Sequence, residues 1–380
     1  MEMKQIYSLV NDITSEVTGK SDLLKEDLSN IADVGTSIFD STSLDKYVKS
    51  LVDHIGKVVF VNRAYRGNAP SVLMDGWEFG SVLEKISTDL PKATENESWE
   101  LTDGTSYDVN VFYKPSAETK FFNKRVTFEI SMSFTERQVK SAFSSAEQMN
   151  GFISMIQSSI EKSMTVKLDS LIMRTINNMT AQTINNGNPV RAVKLLTDYN
   201  TKFSKTLTAN DAITDPSFIR YATYVIGLYV DRLSKMSTLF NIGGKERFTA
   251  NEDLHVVLLS EFKQSAMAYL ESDTFHNELV KLPNAESVPY WQGSGADYGF
   301  DSTSKILVST QNPTATGTVD VEQSGIIGVM FDRDALGVAN LDRRVTTNYN
   351  AKAEFYNNYY KFDCGYFNDT NENFVVFMVA

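Results

Sequence analysis

A forty-residue segment, Ala146–Asn185, constrains the fold of this chain more than any other feature, because it reads as one amphipathic helix. Apolar side chains recur along it at three- and four-residue spacing, and the intervening positions are mostly Ser, Gln, Glu, Lys and Asn. It contains no proline, and Gly151 is its only glycine. Ser145 with Gln148, and Thr135 with Gln138 just upstream, match the capping box that begins many helices.

The length of this helix sets the shape of the molecule. Forty residues at about 1.5 Å each give a rod of roughly 60 Å. A compact globule of 380 residues would have a diameter of only about 55 Å. One continuous helix therefore predicts a flat or elongated molecule. The alternative is two helices broken near Lys162–Lys167, where the apolar stripe is least regular.

The chain before the long helix has the opposite character. Turn signals punctuate residues 58–134, with β-like pieces at Trp77–Ile86 and Tyr107–Tyr113. Val126–Phe134 alternates apolar and polar residues, which predicts a half-buried strand. Thr88–Lys124, between them, is too polar and too interrupted to enclose a core. Such an extended β loop needs a surface outside itself to lie on.

The N-terminal residues, 1–42, are polar and weakly patterned. One short helix is possible at their start, and residues 29–38 read as an extended, exposed arm, with a frayed terminus as the alternative. Residues 43–57 form a clear amphipathic pattern, with Ser43 as a plausible N-cap and Gly56 at the expected end. The sequence therefore predicts an arm followed by one short, docked helix.

Residues 188–339 read as a separate α/β lobe. Helices are predicted to open at Asn188-Pro189 and at Asp215-Pro216. A buried strand at His255–Leu259 should lead into a helix that ends near Glu271, and a glycine-rich surface loop follows at residues 293–299.

The last segment, residues 340–380, is aromatic and β-like. Two strands, Phe355–Phe367 and Phe374–Val379, flank the polar run Asn368–Asn373. A polar turn between two apolar strands is typical of a hairpin.

The charge balance and the cysteine count exclude several classes of protein. Lysine and arginine total 36 against 48 acidic residues, a net charge of −12, so the basic face of a dedicated nucleic-acid binder is not expected. One cysteine, Cys364, rules out an intrachain disulfide framework and a cysteine-based zinc site. No apolar run approaches the ~18 residues that cross a membrane, and the N-terminus lacks a secretory h-region. We therefore expect a soluble protein of a reducing cytoplasm.

No catalytic constellation is recognisable. Gly293-Ser294-Gly295 fits neither a nucleophile elbow nor a dinucleotide loop, and Gly243-Gly244-Lys245 lacks the rest of a phosphate-binding loop. We name no catalytic, cofactor-binding or metal-binding residue and predict that the chain is not an enzyme. An α/β hydrolase with a site between the 188–339 lobe and the long helix stays open as an alternative.

Elongation and the core-poor loop together predict an interaction surface. Large exposed apolar patches normally mark interfaces, and an arm laid on a neighbouring copy generates a ring or shell when the rotation closes. The candidate contacts between subunits are the aromatic residues of the loop region, Trp77, Phe79, Trp99, Phe121 and Phe122. This pattern favours a structural protein that assembles with copies of itself.

The order of elements resembles the major capsid proteins of tailed double-stranded-DNA phages, with the Hong Kong 97-type fold. Asn30–Tyr65 resembles their N-terminal arm, short helix and entry to the extended loop, and Ala146–Asn185 resembles their spine helix. HVVLLSEFKQSAMAYLES (His255–Ser272) resembles the strand and helix of the axial domain. Gly325–Val338 and Thr346–Phe367 resemble the return to the peripheral domain. Small short-tailed phages of Gram-positive hosts are the most similar members.

The resemblance implies an α+β fold divided into six segments. They are the N-terminal arm (1–42), a short peripheral-domain helix (43–57), the extended β loop (58–134), the spine helix (135–187), the axial domain (188–339) and the peripheral-domain β return (340–380). The family also crosslinks some subunits through lysine and asparagine, but nothing singles out a lysine here.

The same resemblance implies a function and partners. It implies an icosahedral phage shell around double-stranded DNA, built from pentamers and hexamers in the host bacterial cytoplasm. Scaffolding and portal proteins are the implied partners, without sequence-specific nucleic-acid binding and without a membrane. The alternative within the fold is an encapsulin-like nanocompartment shell. Triangulation number, host and maturation steps are not determined by the sequence.

Overall fold

The computed structural model describes residues 3–20, 23–38, 45–52, 69–74, 83–95, 100–106, 110–271, 285–291, 304–311 and 316–380. The helices are α1 Met3–Thr18, α2 Ile31–Ile38, α3 at residues 45–52, α4 Glu136–Ala142, α5 Ala146–Asn185, α6 Leu195–Phe203, α7 Ala209–Ala212, α8 Pro216–Leu233 and α9 Ser260–Glu271.

The strands are β1 Leu73–Met74, β2 Leu83–Thr88, β3 Ala117–Phe122, β4 Arg125–Thr135, β5 Ala192–Lys194, β6 Leu254–Leu259, β7 Glu286–Val288, β8 Lys305–Gln311, β9 Thr318–Ser324, β10 Ile326–Asp332, β11 Leu336–Asn350, β12 Phe355–Asn368 and β13 Phe374–Met378. A short 3-10 helix, Pro70–Val72, precedes β1.

The long helix α5 is continuous over all 40 residues, as the sequence predicted, and it has no break near Lys162–Lys167. The Ser145 hydroxyl caps it by accepting a hydrogen bond from the Gln148 backbone N–H. Its first half buries one face, whereas residues 168–183 are buried on nearly every side. The second half of the helix therefore lies inside the protein rather than on its surface.

Two sheets pack against α5. One has the order β1-β11-β12-β4, and the other has the order β5-β13-β10-β6-β7. Helix α5 contacts β4, β11 and β12 of the first sheet and β13 of the second. Its buried side chains belong to one continuous apolar core that both sheets share. The predicted α+β class is confirmed, with the long helix joining the two sheets.

The N-terminal residues that the structure describes do not form the predicted exposed arm. Helix α1 buries Leu9, Val10 and Ile13 and contacts α5. Residues 31–38, predicted to be extended, form α2, which buries Ile31 and Val34. The prediction was wrong there because burial of these apolar side chains outweighs the modest helix propensity of the segment.

The predicted C-terminal hairpin is also wrong. Strand β12 pairs with β11 and β4 in the first sheet, whereas β13 pairs with β10 and β5 in the second. The chain crosses between the sheets at residues 369–373, and Asp369, Asn371 and Glu372 in this turn are buried. Strand pairing thus crosses the predicted boundary between 339 and 340, since β11 spans it and β13 joins a sheet of the 188–339 lobe.

The alternation predicted for Val126–Phe134 is confirmed in β4, whose apolar residues are half-buried or buried. However, β4 pairs with β12 along its whole length and belongs to the first sheet. The two-stranded part of the extended loop is β2 with β3. The predicted segment 58–134 thus contains both this hairpin and β4, a strand of the first sheet.

The lobe agrees with its predictions in most places. Asp215 caps α8 with Pro216 in its first turn, and β6 leads into α9 as expected. Asn188-Pro189 does not open a helix, because a turn and the short strand β5 come first and α6 begins at Leu195. The predicted glycine-rich loop at residues 293–299 lies outside the described residues.

Two glycines give a matched test of this packing. A Cβ at Gly328, in β10, would lie 2.5 Å from Leu258 Cδ2 and 3.1 Å from the Val257 carbonyl oxygen, whereas a Cβ at Gly151 in α5 would meet nothing within 4 Å. We expect Gly328→Ala to lower the free energy of unfolding by about 1–3 kcal/mol and Gly151→Ala to raise it by about 0.5–1 kcal/mol. Denaturant unfolding of both variants measures this, and two changes of the same sign would contradict the packing described here.

Candidate subunit interface

The hairpin β2–β3 is a two-stranded sheet that stands apart from the two large sheets. It pairs in antiparallel register from Leu83 opposite Phe122 to Thr88 opposite Ala117. Residues 89–116 connect the strands, and the described part of this loop contains neither helix nor strand. An isolated two-stranded hairpin is marginal in water, so other contacts must fix its position.

Charged side chains fix the hairpin to the turn at residues 369–373. Lys85 Nζ lies 2.9 Å from Asp369 Oδ2 and 2.7 Å from Glu372 Oε1. Lys120 Nζ, on the facing strand, lies 3.0 Å from Asp369 Oδ1. Arg247 Nε also contacts Glu372 Oε1, at 3.2 Å. Because both carboxylates are buried, these cations are their compensation, and we call the five residues the hairpin anchor.

Two further contacts hold the hairpin at its ends. Lys245 Nζ lies 2.9 Å from Asp89 Oδ1 and 3.2 Å from Glu118 Oε2, at the end from which the loop emerges. At the other end the Phe122 ring packs on Phe367, with ring centroids 5.2 Å apart. The base of the loop is therefore held in place by its own subunit.

The anchor makes hairpin docking depend on pH. Burial acts to raise the pKa of Asp369, but the Asn371 N–H, Lys85 and Lys120 outweigh it, so this pKa lies below its ordinary value. Burial acts to lower the pKa of Lys85, but Glu372 and Asp369 outweigh it, so that pKa is raised. The Asp369 contribution is full above the ordinary aspartate pKa, near 4, and is lost as pH falls through the lower folded value. The Lys85 contribution is full below about pH 10 and is lost as pH rises through the folded value.

We therefore expect the hairpin to stay docked between about pH 5 and pH 10 and to loosen below about pH 4. Hydrogen exchange of β2 and β3, followed across this range by mass spectrometry, measures the effect. Asp369→Asn should flatten the acid limb, and an unchanged acid limb in that variant would contradict the role of Asp369.

The loop that the anchor supports exposes large apolar side chains. Phe112 is 84% exposed and Tyr113 is 85% exposed, the highest values among the large apolar residues that the structure describes. The other exposed apolar residues of the loop and hairpin are Ile86, Leu90, Leu101, Val111 and Phe121. This concentration of apolar surface on a segment without a core is typical of an interface.

The predicted contact residues separate into three groups. Phe121 is 64% exposed and belongs to this surface, whereas Phe122 packs inward on Phe367. Trp77, Phe79 and Trp99 lie outside the described residues. Sequence reasoning missed Phe112 and Tyr113, although the apolar run Val111–Tyr113 in a core-less segment was the available signal.

The other side chains with reactive groups, His255 and Cys364, are packed within the fold. His255 stacks near Phe331, with centroids 5.7 Å apart, and burial lowers the pKa of its imidazole. Cys364 is buried in β12, and its thiol lies 3.7 Å from Asn340 Oδ1. Across the part of the chain that the structure describes, no group of three or more His, Cys, Asp or Glu residues could hold a metal ion. Nor does any described helix have the length and apolar character needed to cross a membrane.

Comparison with models of protein families shows to which family this chain belongs. The model of the Phi29-like phage major capsid protein family matches residues 8–378, nearly the whole chain. The chain belongs to that family. The resemblance inferred from the order of elements is thereby confirmed.

Curated relatives and solved structures agree. The major capsid proteins of Bacillus phages GA-1 and B103 are 28% and 26% identical to this chain over 167 and 165 residues. These matches cover 42% of this chain and about a third of each relative, 34% and 35%. The capsid structure of Staphylococcus phage Andhra superposes with a TM-score of 0.53 at 10% identity, covering 84% of this chain and 86% of the other. A structure of the head fiber and inner core protein gp22 of bacteriophage P68 gives 0.51 at 9% identity, with the same coverage. These structural likenesses show the Hong Kong 97-type capsid fold.

Proposed function

We propose that this chain is the structural subunit of an icosahedral phage shell that encloses double-stranded DNA. The single observation that carries the proposal is the loop at residues 89–116, which exposes Phe112 and Tyr113 above an anchored base. Family membership supports it, because the family consists of phage major capsid proteins. The nanocompartment and hydrolase alternatives have no such support.

In this proposal the lobe at residues 188–339 lies around the centres of pentamers and hexamers. The loop at 58–134, and above all its exposed aromatic residues, contacts the neighbouring copy. Helix α1 packs on its own α5, and α2 buries Ile31 and Val34 within its own chain, so we assign the clasping of neighbours to the loop rather than to residues 1–42. Phe121 remains a candidate contact, together with Trp77, Phe79 and Trp99.

Assembly of this kind needs only weak individual contacts. A contact of a few kcal/mol leaves a pair of subunits mostly dissociated at micromolar concentration. In a closed shell each subunit makes several contacts at once, and simultaneous contacts multiply. We further propose that scaffolding and portal proteins direct this assembly in the host bacterial cytoplasm, and that the subunit has no catalytic role.

Light scattering and negative-stain microscopy of the purified protein, with and without a co-expressed scaffolding protein from the same phage, test the proposal. We expect closed shells of uniform diameter. A monomer that stays compact at high concentration under both conditions would overturn it. A shell that encloses an enzyme in place of DNA in the cell would favour the nanocompartment alternative.

A further inference from the structure

A cleft with a volume of about 500 Å³ lies where the hairpin, α5 and the β8–β9 hairpin meet. Lys124 and Arg174 contribute cationic groups to it, and aromatic rings form part of its wall, including those of Phe121 and Tyr366. Amide and hydroxyl side chains make up most of the remainder. No Asp or Glu is among the described residues that line it.

The two cations of the cleft are available to an incoming anion. The Arg174 guanidinium lies over the Tyr366 ring, 5.3 Å from its centroid, and donates to the Tyr366 hydroxyl at 3.3 Å. Within the described residues, neither Arg174 nor Lys124 forms an ion pair with a carboxylate. Phe121 adds an exposed apolar ring beside them. The cleft thus fits a ligand that combines negative charge with an apolar group.

One exposed segment of the chain has this combination. Glu100 and Asp103 flank Leu101, which is 66% exposed. A turn closed by the hydrogen bond from the Thr105 N–H to the Thr102 carbonyl oxygen presents them at the surface. Gly104 has a positive φ of 82°, as this turn requires.

No residue of the loop at 89–116 is among the described residues that line the cleft of its own chain. The cleft lies at the end of the hairpin where Leu83 pairs with Phe122, and the loop leaves from the opposite end, where Thr88 pairs with Ala117. Six residues of strand place about 20 Å between these ends. The Lys245 contacts with Asp89 and Glu118 fix the far end, so the loop starts away from its own cleft.

We propose that the acid-free cleft of one subunit receives Glu100–Asp103 of a neighbouring copy. Lys124 and Arg174 pair with the two carboxylates, and Leu101 packs on the exposed face of Phe121. The contact is heterologous, with a different surface on each partner, and such contacts generate rings when the rotation closes. The inference rests on the proposed shell function and specifies one of its contacts.

Charge reversal with rescue tests the inference. We expect Lys124→Glu, and separately Asp103→Lys, to raise the protein concentration needed for shell formation by about tenfold or more. Combining the two substitutions should restore it to within about threefold of wild type, because the opposite charges at these two positions meet again. Lys352→Glu, an exposed lysine outside the loop and the lobe with the same change of charge, is the matched control and should assemble as wild type does.

A covalent measurement complements the assembly assay. Lys124→Cys with Asp103→Cys in one chain should give, on oxidation, a ladder of linked chains in a denaturing gel. An intrachain crosslink, which leaves the protein at monomer size, would overturn the inference. So would normal assembly of both charge variants, or a combined Lys124→Glu/Asp103→Lys variant no better than its parents.

The alternative occupant, a nucleic acid, has its own signature. If Lys124→Glu forms shells at the wild-type concentration but binds a short single-stranded oligonucleotide more weakly, the cleft is a phosphate site and the inference is wrong. Failure of the wild-type chain itself to form shells would instead count against the proposed function. The two failures are therefore distinguishable.

Discussion

Replacing Phe112 and Tyr113 together by serine should abolish shell formation while leaving the monomer folded. These rings are 84% and 85% exposed, so the isolated subunit loses almost no packing. Burying a large apolar side chain in an interface contributes about 1.5–3 kcal/mol. Losing two such side chains at every contact between subunits should weaken each contact at least about 100-fold. Light scattering against concentration, with microscopy of the products, measures this loss.

The control for this variant removes apolar surface elsewhere. Met155 and Val166 on α5 are 52% and 40% exposed, and both lie outside the loop and the lobe. Serine at these two positions should leave the threshold for assembly within about threefold of wild type. Shells formed by the Phe112→Ser/Tyr113→Ser protein at the wild-type concentration would show that the loop is not the contact.

The second large effect concerns the hairpin anchor. Changing Lys85 and Lys120 to methionine removes both cations from Asp369, whose side chain is only 2% exposed. A buried carboxylate without its partners costs about 3–5 kcal/mol, and we expect the free energy of unfolding to fall by that amount. The two substitutions share one carboxylate, so their separate effects should not add up to the double effect. Denaturant unfolding of the single and double variants measures both quantities.

A surface ion pair is the matched control for the anchor. Lys361 Nζ lies 3.3 Å from Glu129 Oε2 on the exposed face of the first sheet. Lys361→Met should change the free energy of unfolding by less than about 1 kcal/mol, because exposed pairs contribute little. Adding Asp369→Asn to the double lysine variant should recover part of the loss. Equal losses for the anchor and control lysines would mean that burial of Asp369 does not decide the cost.

The sequence alone was sufficient to predict the helices and strands whose apolar residues recur at a regular spacing. Helix α5 repeats its apolar residues along 40 positions, and β4 alternates them, so each could be recognised without knowing its neighbours. Helix α2 was predicted to be extended, because its helical state depends on burying Ile31 and Val34 rather than on propensity. That information lies in the tertiary packing and not in the segment.

The sheet crossing at residues 369–373 could not be predicted for a similar reason. A run of Asn, Asp, Thr and Glu between two apolar strands is typical of a solvated hairpin turn. Here its carboxylates are buried by lysines that lie 249 and 287 residues away in sequence. The sequence of the turn itself does not indicate contacts with residues so far away along the chain. The position of β13 in the second sheet therefore emerges only from the folded chain.

The candidate interface was predicted in kind but only partly in detail. The absence of a core in residues 88–124 correctly indicated exposed apolar surface, and Phe121 belongs to it. The prediction named Phe121 and Phe122 together without a basis for separating their two faces, so it included Phe122, which the Phe367 ring covers. It omitted Tyr113 and Phe112, because the run Val111–Tyr113 was assigned to a strand. Whether these side chains are exposed depends on whether another strand pairs with the run, and no described strand does.

The enclosure of α5 between the two sheets has a mechanical consequence. A tightly filled shell is under outward pressure from its contents, and each subunit must carry that load without deforming. A rod about 60 Å long, gripped on nearly every side over residues 168–183, cannot slide unless the apolar core around it opens. The body of the subunit should therefore respond stiffly and as one piece. Deformation of the shell would then be concentrated at the contacts between subunits, where the hairpin and its loop lie.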